Sequence, residues 1–115
     1  MSKSLNPQVM IELIGDDKAS ARKFYSDFLQ QAKSSCGLLK QAYQDSAYQE
    51  LKDHAHFLKT SAKAVGAEVL AEQLQELEEQ ALANNQAQCA ELIRAIHTEL
   101  GSHFVLALKA HLQQA

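Results

Sequence analysis

The chain has 115 residues, the usual size of one domain, and no stretch rich in Pro, Gly or Ser divides it. Its 46% hydrophobic residues are enough to form a core, and its net charge of −3 does not favour nucleic-acid binding. We therefore predict a single domain over residues 1–115 with no nucleic-acid partner. The lack of a long apolar run predicts no membrane insertion, and two cysteines without Cys-x-x-Cys spacing suit a reducing cytoplasm.

Two helices are predicted in the first part of the chain. Asn6 before Pro7 indicates a helix start, and Gly15 ends this short first helix. A second helix is predicted over about residues 17–44, because its apolar residues recur at steps of three or four. The apolar stripe consists of Ala21, Phe24, Phe28, Ala32, Leu39 and Ala42. This spacing predicts a long amphipathic helix with one face in a core.

A third and a fourth helix follow the same pattern. Asp45 and Ser46 are candidate caps for the third helix, which ends near Val65 before the turn residue Gly66. The fourth helix is predicted over about residues 67–83, with leucines on one side and most of its glutamates on the other. Both helices therefore have one face for a core and one for solvent.

The last helix follows a turn at residues 84–85, and Gly101 is its weak point. Short connections between amphipathic helices favour antiparallel neighbours. The fold class predicted is all-α: an antiparallel up-and-down four-helix bundle with a short N-terminal capping helix. Its core is expected at about residues 17–110.

The third helix carries the residues of greatest chemical interest. At about 100° per residue, its apolar residues cluster on one side and His56 projects from the other. Lys52, Lys59 and Lys63 fall within about 60° of His56. An exposed neutral imidazole is a nucleophile near pH 7, and nearby ammonium groups favour a phosphoryl group attached to it. The pattern is also typical of an ordinary solvated helix face, so spacing alone leaves both interpretations open.

Other histidines do not indicate a metal or nucleotide site. His54 points about 160° away from His56, so it is expected to be partly buried, and the two cannot converge on one metal. Glu99 and His103 have i,i+4 spacing, which is typical of a helix-stabilising contact. No metal site is predicted. The chain also lacks a Gly-rich phosphate loop and a kinase signature set, so we expect no ATP site.

Most of the chain resembles the histidine-containing phosphotransfer domains of multistep bacterial phosphorelays. Their signature is Ala-His-x-Leu-Lys-Gly with a further Gly ten residues after the histidine, and the matching residues are Ala55, His56, Leu58, Lys59 and Gly66. The region from Phe24 to Leu29 is similar to the family's second helix, and Leu77-Glu78 closes the pattern. Thr60 stands where the family most often has Gly, which is the one departure from the signature.

The resemblance implies a phosphorelay intermediate that accepts a phosphoryl group on His56 from a receiver aspartate and passes it to another receiver aspartate. It implies that Lys59 offsets the phosphoryl charge and that Gly66 forms a structural turn. The implied partners are response-regulator receiver domains and a hybrid sensor histidine kinase. Mg²⁺ is expected on the receiver, and this chain is expected to bind no cofactor.

Four residues near His56 are predicted to contact the partner. Lys52 and Lys63 follow from the helical projection, Phe57 is a candidate apolar contact, and Thr60 is expected to affect partner preference and approach distance. The chain is expected to be a cytoplasmic monomer that transfers phosphoryl groups only with a receiver. The alternative interpretation is a non-catalytic helical adaptor that docks an acidic partner through the lysine-rich face. A metal-binding bundle has little support in the sequence.

Overall fold

The architecture is a helical bundle, seen in a computed structural model that describes residues 1–113. The helices are α1 (Pro7–Ile14), α2 (Lys18–Gln44), α3 (Tyr48–Val65), α4 (Glu68–Leu82), α5 (Gln86–Thr98) and α6 (Val105–Leu112). Helices α2 to α5 each pack against the next, α5 closes the ring against α2, and α1 covers one end against α2 and α3. Short turns make consecutive helices antiparallel. The predicted four-helix bundle with a capping helix is confirmed.

The core lies between the apolar faces of the four long helices. Its largest fully buried side chains are Tyr25, Phe104, Leu39, Leu51, Leu58, Leu70, Leu74, Leu77 and Ile96. Burial of one such side chain stabilises the fold by about 1.5–3 kcal/mol. Within residues 1–113, no helix is long and apolar enough to cross a bilayer.

The aromatic residue that α2 places in the core is Tyr25, and the prediction for Phe24 was wrong. Tyr25 is 1% exposed and Phe24 is 47% exposed. Adjacent residues of a helix point about 100° apart, so only one of the two rings can face the bundle. Tyr25 continues the alternating three- and four-residue steps through Phe28 and Ala32, which is the period of a bundle helix.

Helix caps follow the sequence at two starts and depart from it at a third. The side chain of Asn6 accepts a backbone N–H bond at the start of α1, as predicted, and the side chain of Asp17 accepts one at the start of α2. Helix α3 begins after Ala47 without a side-chain cap, so the predicted cap at Asp45 or Ser46 was wrong. The reason is that the N–H groups of these residues bond back to carbonyls of α2, and they therefore close that helix.

The N-terminal segment runs across the turn between α3 and α4. Gly66 has the left-handed φ of 81°, and its carbonyl accepts the Asn6 N–H at 2.8 Å. A Cβ atom at Gly66 would also collide with the Asn6 carbonyl, so only glycine fits there. The Lys3 carbonyl accepts the Val69 N–H. The Glu68 carboxylate accepts hydrogen bonds from the Asn6 side-chain amide and the Lys3 backbone N–H, and these bonds lower its pKa. This strap connects the start of the chain to the α3–α4 hairpin.

The last bundle helix is not regular. A π-helical segment of six residues, Glu99–Phe104, separates α5 from α6. It includes Gly101, which the sequence marked as the weak point of this helix. π-Helical turns are rare in proteins and occur frequently at functional sites.

Candidate functional site

His56 lies on the outer face of α3, about midway along the helix. Its side chain is 61% exposed, whereas the neighbouring Ala55 is fully buried and His54 is half-buried. These are the orientations that the helical projection predicts. The imidazole is thus open to a reactant that approaches from solvent.

The His56 ring is oriented by a carboxylate from the adjacent helix. Its Nδ1 atom lies 3.1 Å from Oε1 of Glu78, a residue of α4 whose side chain is only 10% exposed. A carboxylate can only accept, so in the neutral ring the proton is on Nδ1. The lone pair is then on Nε2. The hydrogen bond therefore selects the tautomer in which Nε2 is the nucleophilic nitrogen.

Lys59 is buried between α3 and α4 and does not lie on the solvated face. Its Nζ atom donates a hydrogen bond to Gln75 Oε1 at 2.6 Å and forms an ion pair with Glu78 Oε2 at 2.6 Å, although that contact lacks hydrogen-bond geometry. The Lys59 side chain is 11% exposed. The ammonium group therefore compensates the charge of Glu78, and a buried carboxylate without such a partner would be strongly unfavourable.

The predicted partner-binding residues stay near His56 but differ in availability. Phe57 is 60% exposed, and the Thr60 hydroxyl donates back to the His56 carbonyl at 3.2 Å. Lys52 lies 3.5 Å from Asp53 Oδ1, whereas Lys63 is exposed and forms no ion pair within residues 1–113. The predicted cluster of lysines is thus divided: one is buried, one is paired and one is free.

Two residues of the site, Glu78 and Gln75, were not predicted as site residues from the sequence, although Glu78 closes the family pattern. Both come from α4, and the projection of a single helix cannot show what the next helix brings to it. One signal was present, because Glu78 follows the core residue Leu77 directly and Lys59 follows the core residue Leu58. Charged residues at the edges of two facing apolar stripes are candidates for an ion pair between the helices.

The described residues contain no obvious metal centre. Over residues 1–113, no group of three or more His, Cys, Asp or Glu side chains has an arrangement suited to a metal ion. The geometry around His56 offers an exposed nitrogen nucleophile with a buried carboxylate behind it.

Comparison with known proteins assigns this architecture to a family. The family model described as Hpt domain matches residues 23–115. The chain belongs to the Hpt domain family. As an Hpt domain, it is a phosphorelay intermediate with histidine phosphotransfer activity, which the resemblance in the sequence implied. Hpt domains work with receiver or kinase partners of two-component systems.

A solved structure supports the fold of this Hpt domain independently. The chain is similar to the crystal structure of histidine-containing phosphotransfer protein B (HptB) from Pseudomonas aeruginosa PAO1, with a TM-score of 0.86 and 23% sequence identity. The match covers 100% of this chain and 99% of that one. Comparison with curated proteins gives no match.

Proposed function

We propose that His56 is the histidine of this Hpt domain that carries the phosphoryl group, and that Nε2 is the atom that receives it. The observation that carries the proposal is the hydrogen bond from Nδ1 to the buried carboxylate of Glu78 beneath an exposed ring. It orients the imidazole and leaves the lone pair on the other nitrogen. The match of the surrounding residues to the family signature supports the same choice.

The proposed step is a displacement at phosphorus. The lone pair of His56 Nε2 forms a bond to the phosphorus of a receiver's aspartyl phosphate, and the bond from phosphorus to the aspartate oxygen breaks. The aspartate leaves as a carboxylate, and the proton stays on Nδ1 of His56. The ring becomes positively charged next to Glu78, which stabilises that charge. Transfer to the aspartate of a second receiver is the reverse of this step.

Lys59 acts in this proposal through Glu78. A lone carboxylate near the ring would stabilise the imidazolium charge but repel the three phosphoryl oxygens. The Lys59 ammonium cancels that negative charge and keeps the carboxylate in place, which fits its two contacts of 2.6 Å. The role implied by the resemblance, offset of the phosphoryl charge, is thereby proposed to be exerted through the ion pair.

The partner is proposed to contact the α3 docking surface, which we define as Lys52, Phe57, Thr60 and Lys63 around His56. Phe57 supplies exposed apolar area, and Lys63, which forms no ion pair within residues 1–113, supplies a positive charge for the acidic pocket of a receiver. The Thr60 hydroxyl is already bonded to the helix, so its added carbon atoms are what a partner meets in place of the usual glycine. Mg²⁺ is proposed to bind in the receiver.

The wider assignment is also a proposal. We infer that phosphoryl groups reach this chain from a hybrid sensor kinase through a receiver domain and leave it for a response regulator. The chain has no ATP site in this scheme and acts as a monomer in the cytoplasm. Each of these points can be tested with the purified protein or by its location in cells.

The decisive experiment follows phosphoryl transfer from a radiolabelled phospho-receiver. We expect His56→Gln to reduce uptake to background, a loss of about 10³-fold or more, because no nucleophile is left in the site. The matched control is His103→Gln, which removes an equally exposed imidazole from another face of the bundle. That control should take up phosphate as the unmodified chain does.

Full uptake by a folded His56→Gln protein would refute the proposal. The helical content of both variants is measured by circular dichroism, so that loss of the fold is not mistaken for loss of the nucleophile. The adaptor alternative predicts the opposite pattern, in which the receiver binds the unmodified chain but never transfers a phosphoryl group to it.

A further inference from the structure

A second imidazole–carboxylate pair lies in the π-helical segment, away from the proposed phosphoryl site. His103 Nδ1 is 3.1 Å from Oε1 of Glu99, the His103 side chain is 62% exposed, and the Glu99 side chain is 4% exposed. The pair therefore has the contact distance and the exposure pattern of His56 with Glu78. The pair lies in a π-helical turn, a backbone geometry that is rare in proteins and frequent at functional sites.

The two pairs differ in how the second carboxylate oxygen is compensated. At the first, the Lys59 ammonium lies 2.6 Å from both Glu78 Oε2 and Gln75 Oε1. At the second, Glu99 Oε2 is buried with no hydrogen-bond partner and no Lys or Arg ion pair within residues 1–113. Glu99 and His103 line a surface cleft that also includes Gln73 of α4. The Oε1 atom of Gln73 is buried and has no hydrogen-bond partner within residues 1–113.

We propose that this cleft binds the ammonium group of a lysine side chain from a partner protein. The cleft has a volume of about 450 Å³ and opens between α4, α5 and the π-helical segment. Its two unpartnered oxygens, Glu99 Oε2 and Gln73 Oε1, are acceptors without a donor, and leaving such atoms buried is costly. The chain itself shows which group pairs with a His–Glu–Gln set of this kind, because at the first site the Lys59 ammonium forms an ion pair with Glu78 and a hydrogen bond to Gln75.

Two other cations fit the cleft less well than an ammonium group. A structural metal ion usually has at least three strong protein ligands, and no such group of His, Cys, Asp or Glu exists among the described residues. A guanidinium group is available within the cleft, but Arg94 pairs with Glu91 at 2.7 Å and stays 69% exposed. An intramolecular arginine thus lies within the same cleft without compensating Glu99.

The position of the cleft lets a partner bind while the α3 docking surface stays free. Gln75 faces Lys59 of α3, and Gln73 precedes it by two residues, so the two side chains leave α4 in directions about 200° apart. A lysine-bearing partner at the cleft and a receiver at His56 would therefore contact different sides of the same helix. The cleft is then a second docking point for a protein already engaged in phosphoryl transfer.

The test is an NMR titration of the full chain with Nα-acetyl-lysine methylamide, with the norleucine analogue as the uncharged control. We expect saturable shifts of the His103 ring and the Gln73 side-chain amide with the lysine probe and none with norleucine. Glu99→Gln should weaken binding by at least about tenfold, because the probe loses its charged acceptor. Glu91→Gln is the matched control, since it removes an exposed carboxylate from the same cleft, and it should change the affinity by less than about twofold.

The outcomes separate a built site from general attraction to an acidic surface. Shifts that do not saturate, or that persist in Glu99→Gln, would overturn the proposal. Tighter binding of Zn²⁺ or of the arginine analogue at His103 would overturn it too, in favour of a different cation. If Glu99→Gln does not fold, Gln73→Leu is used instead, and loss of the lysine response in that variant is the supporting result. None of these readouts depends on phosphoryl transfer at His56.

Discussion

His56 and His103 lie on different faces of one bundle with nearly the same immediate partner. Each side chain is about three-fifths exposed, and each places Nδ1 3.1 Å from an oxygen of a buried glutamate. At His56 the second carboxylate oxygen has a lysine ammonium within 2.6 Å, and at His103 it has no partner in the described chain. Both glutamates thus orient a histidine ring. Only Glu78 has a lysine that compensates its charge within the described residues.

The difference matters because the two glutamates can do different things for a ring that becomes charged. A carboxylate held by an ion pair keeps its position and can stabilise a developing imidazolium without reorganisation. A carboxylate with only one oxygen paired can still accept hydrogen bonds from a cation at its other oxygen. It is therefore better suited to bind a cation from another molecule. On this view, Lys59 distinguishes the proposed phosphoryl site from the proposed docking cleft.

The largest expected effect comes from removal of that ammonium. Lys59→Met should lower the free energy of unfolding by about 3–5 kcal/mol, because it leaves the buried Glu78 carboxylate without its ion pair. Urea denaturation of the variant and the unmodified chain measures the difference. A loss below about 1 kcal/mol would mean that solvent already screens the pair.

A double variant checks the cause. If the uncompensated charge is responsible, Lys59→Met combined with Glu78→Leu should recover most of the stability, since an apolar pair of similar volume can replace a buried ion pair. No recovery in the double variant would instead assign the loss to packing between α3 and α4.

The second expected effect concerns the rate of transfer. Glu78→Gln keeps an acceptor for Nδ1 but removes the charge, so we expect phosphoryl transfer to His56 to slow by about 10–100-fold, or about 1.4–2.8 kcal/mol. Rapid-quench kinetics with a phospho-receiver measures it. Glu99→Gln is the matched control and should leave the rate unchanged, because its partner His103 has no part in the reaction.

The sequence predicted the part of this site that belongs to one helix. The apolar periodicity of α3 predicted that His56 is exposed and that His54 is partly buried. The family signature pointed to His56 as the phosphorylated histidine. The contacts of Lys59 with Glu78 and Gln75 could not be predicted in the same way, because they join residues 16 or more positions apart. Lys59 has a stem long enough to reach either solvent or α4, and only the packing of the two helices decides which.

The fold was also predictable only in part. Helix number, order and class follow from apolar periodicity, but the choice of Tyr25 over Phe24 for the core depends on how α2 is rotated against its neighbours. Likewise, Gly101 indicated a weak point in the last helix, but not that this point is a π-helical turn whose first and last residues, Glu99 and Phe104, are both buried. The rotation of a helix about its axis and its register against its neighbours are set by tertiary packing, so the sequence of one helix does not reveal them.

A third and smaller effect is expected on stability at the second site. Glu99→Gln should change the free energy of unfolding by no more than about 1 kcal/mol, and in the stabilising direction, because it removes a buried charge that is only half compensated. Chemical denaturation in the absence of any added amine is the measurement. A large loss would show that the His103 contact alone compensates Glu99, and the contrast with Glu78 would disappear.

The smallest expected effect tests which face of the bundle the receiver approaches. Lys63→Ala should lower the association rate with a phospho-receiver a few-fold at low ionic strength, because an exposed charge near the docking point steers encounter, and the effect should fade above about 0.15 M salt. Stopped-flow measurements at two salt concentrations give the association rate and its salt dependence.

Arg94→Ala is the matched control, since it removes the same charge from an exposed position beside the cleft at Glu99. If the receiver docks at the α3 surface, Arg94→Ala has the smaller effect, because its charge lies on the other side of α4 and is already paired with Glu91; equal effects would mean that only net charge guides the encounter.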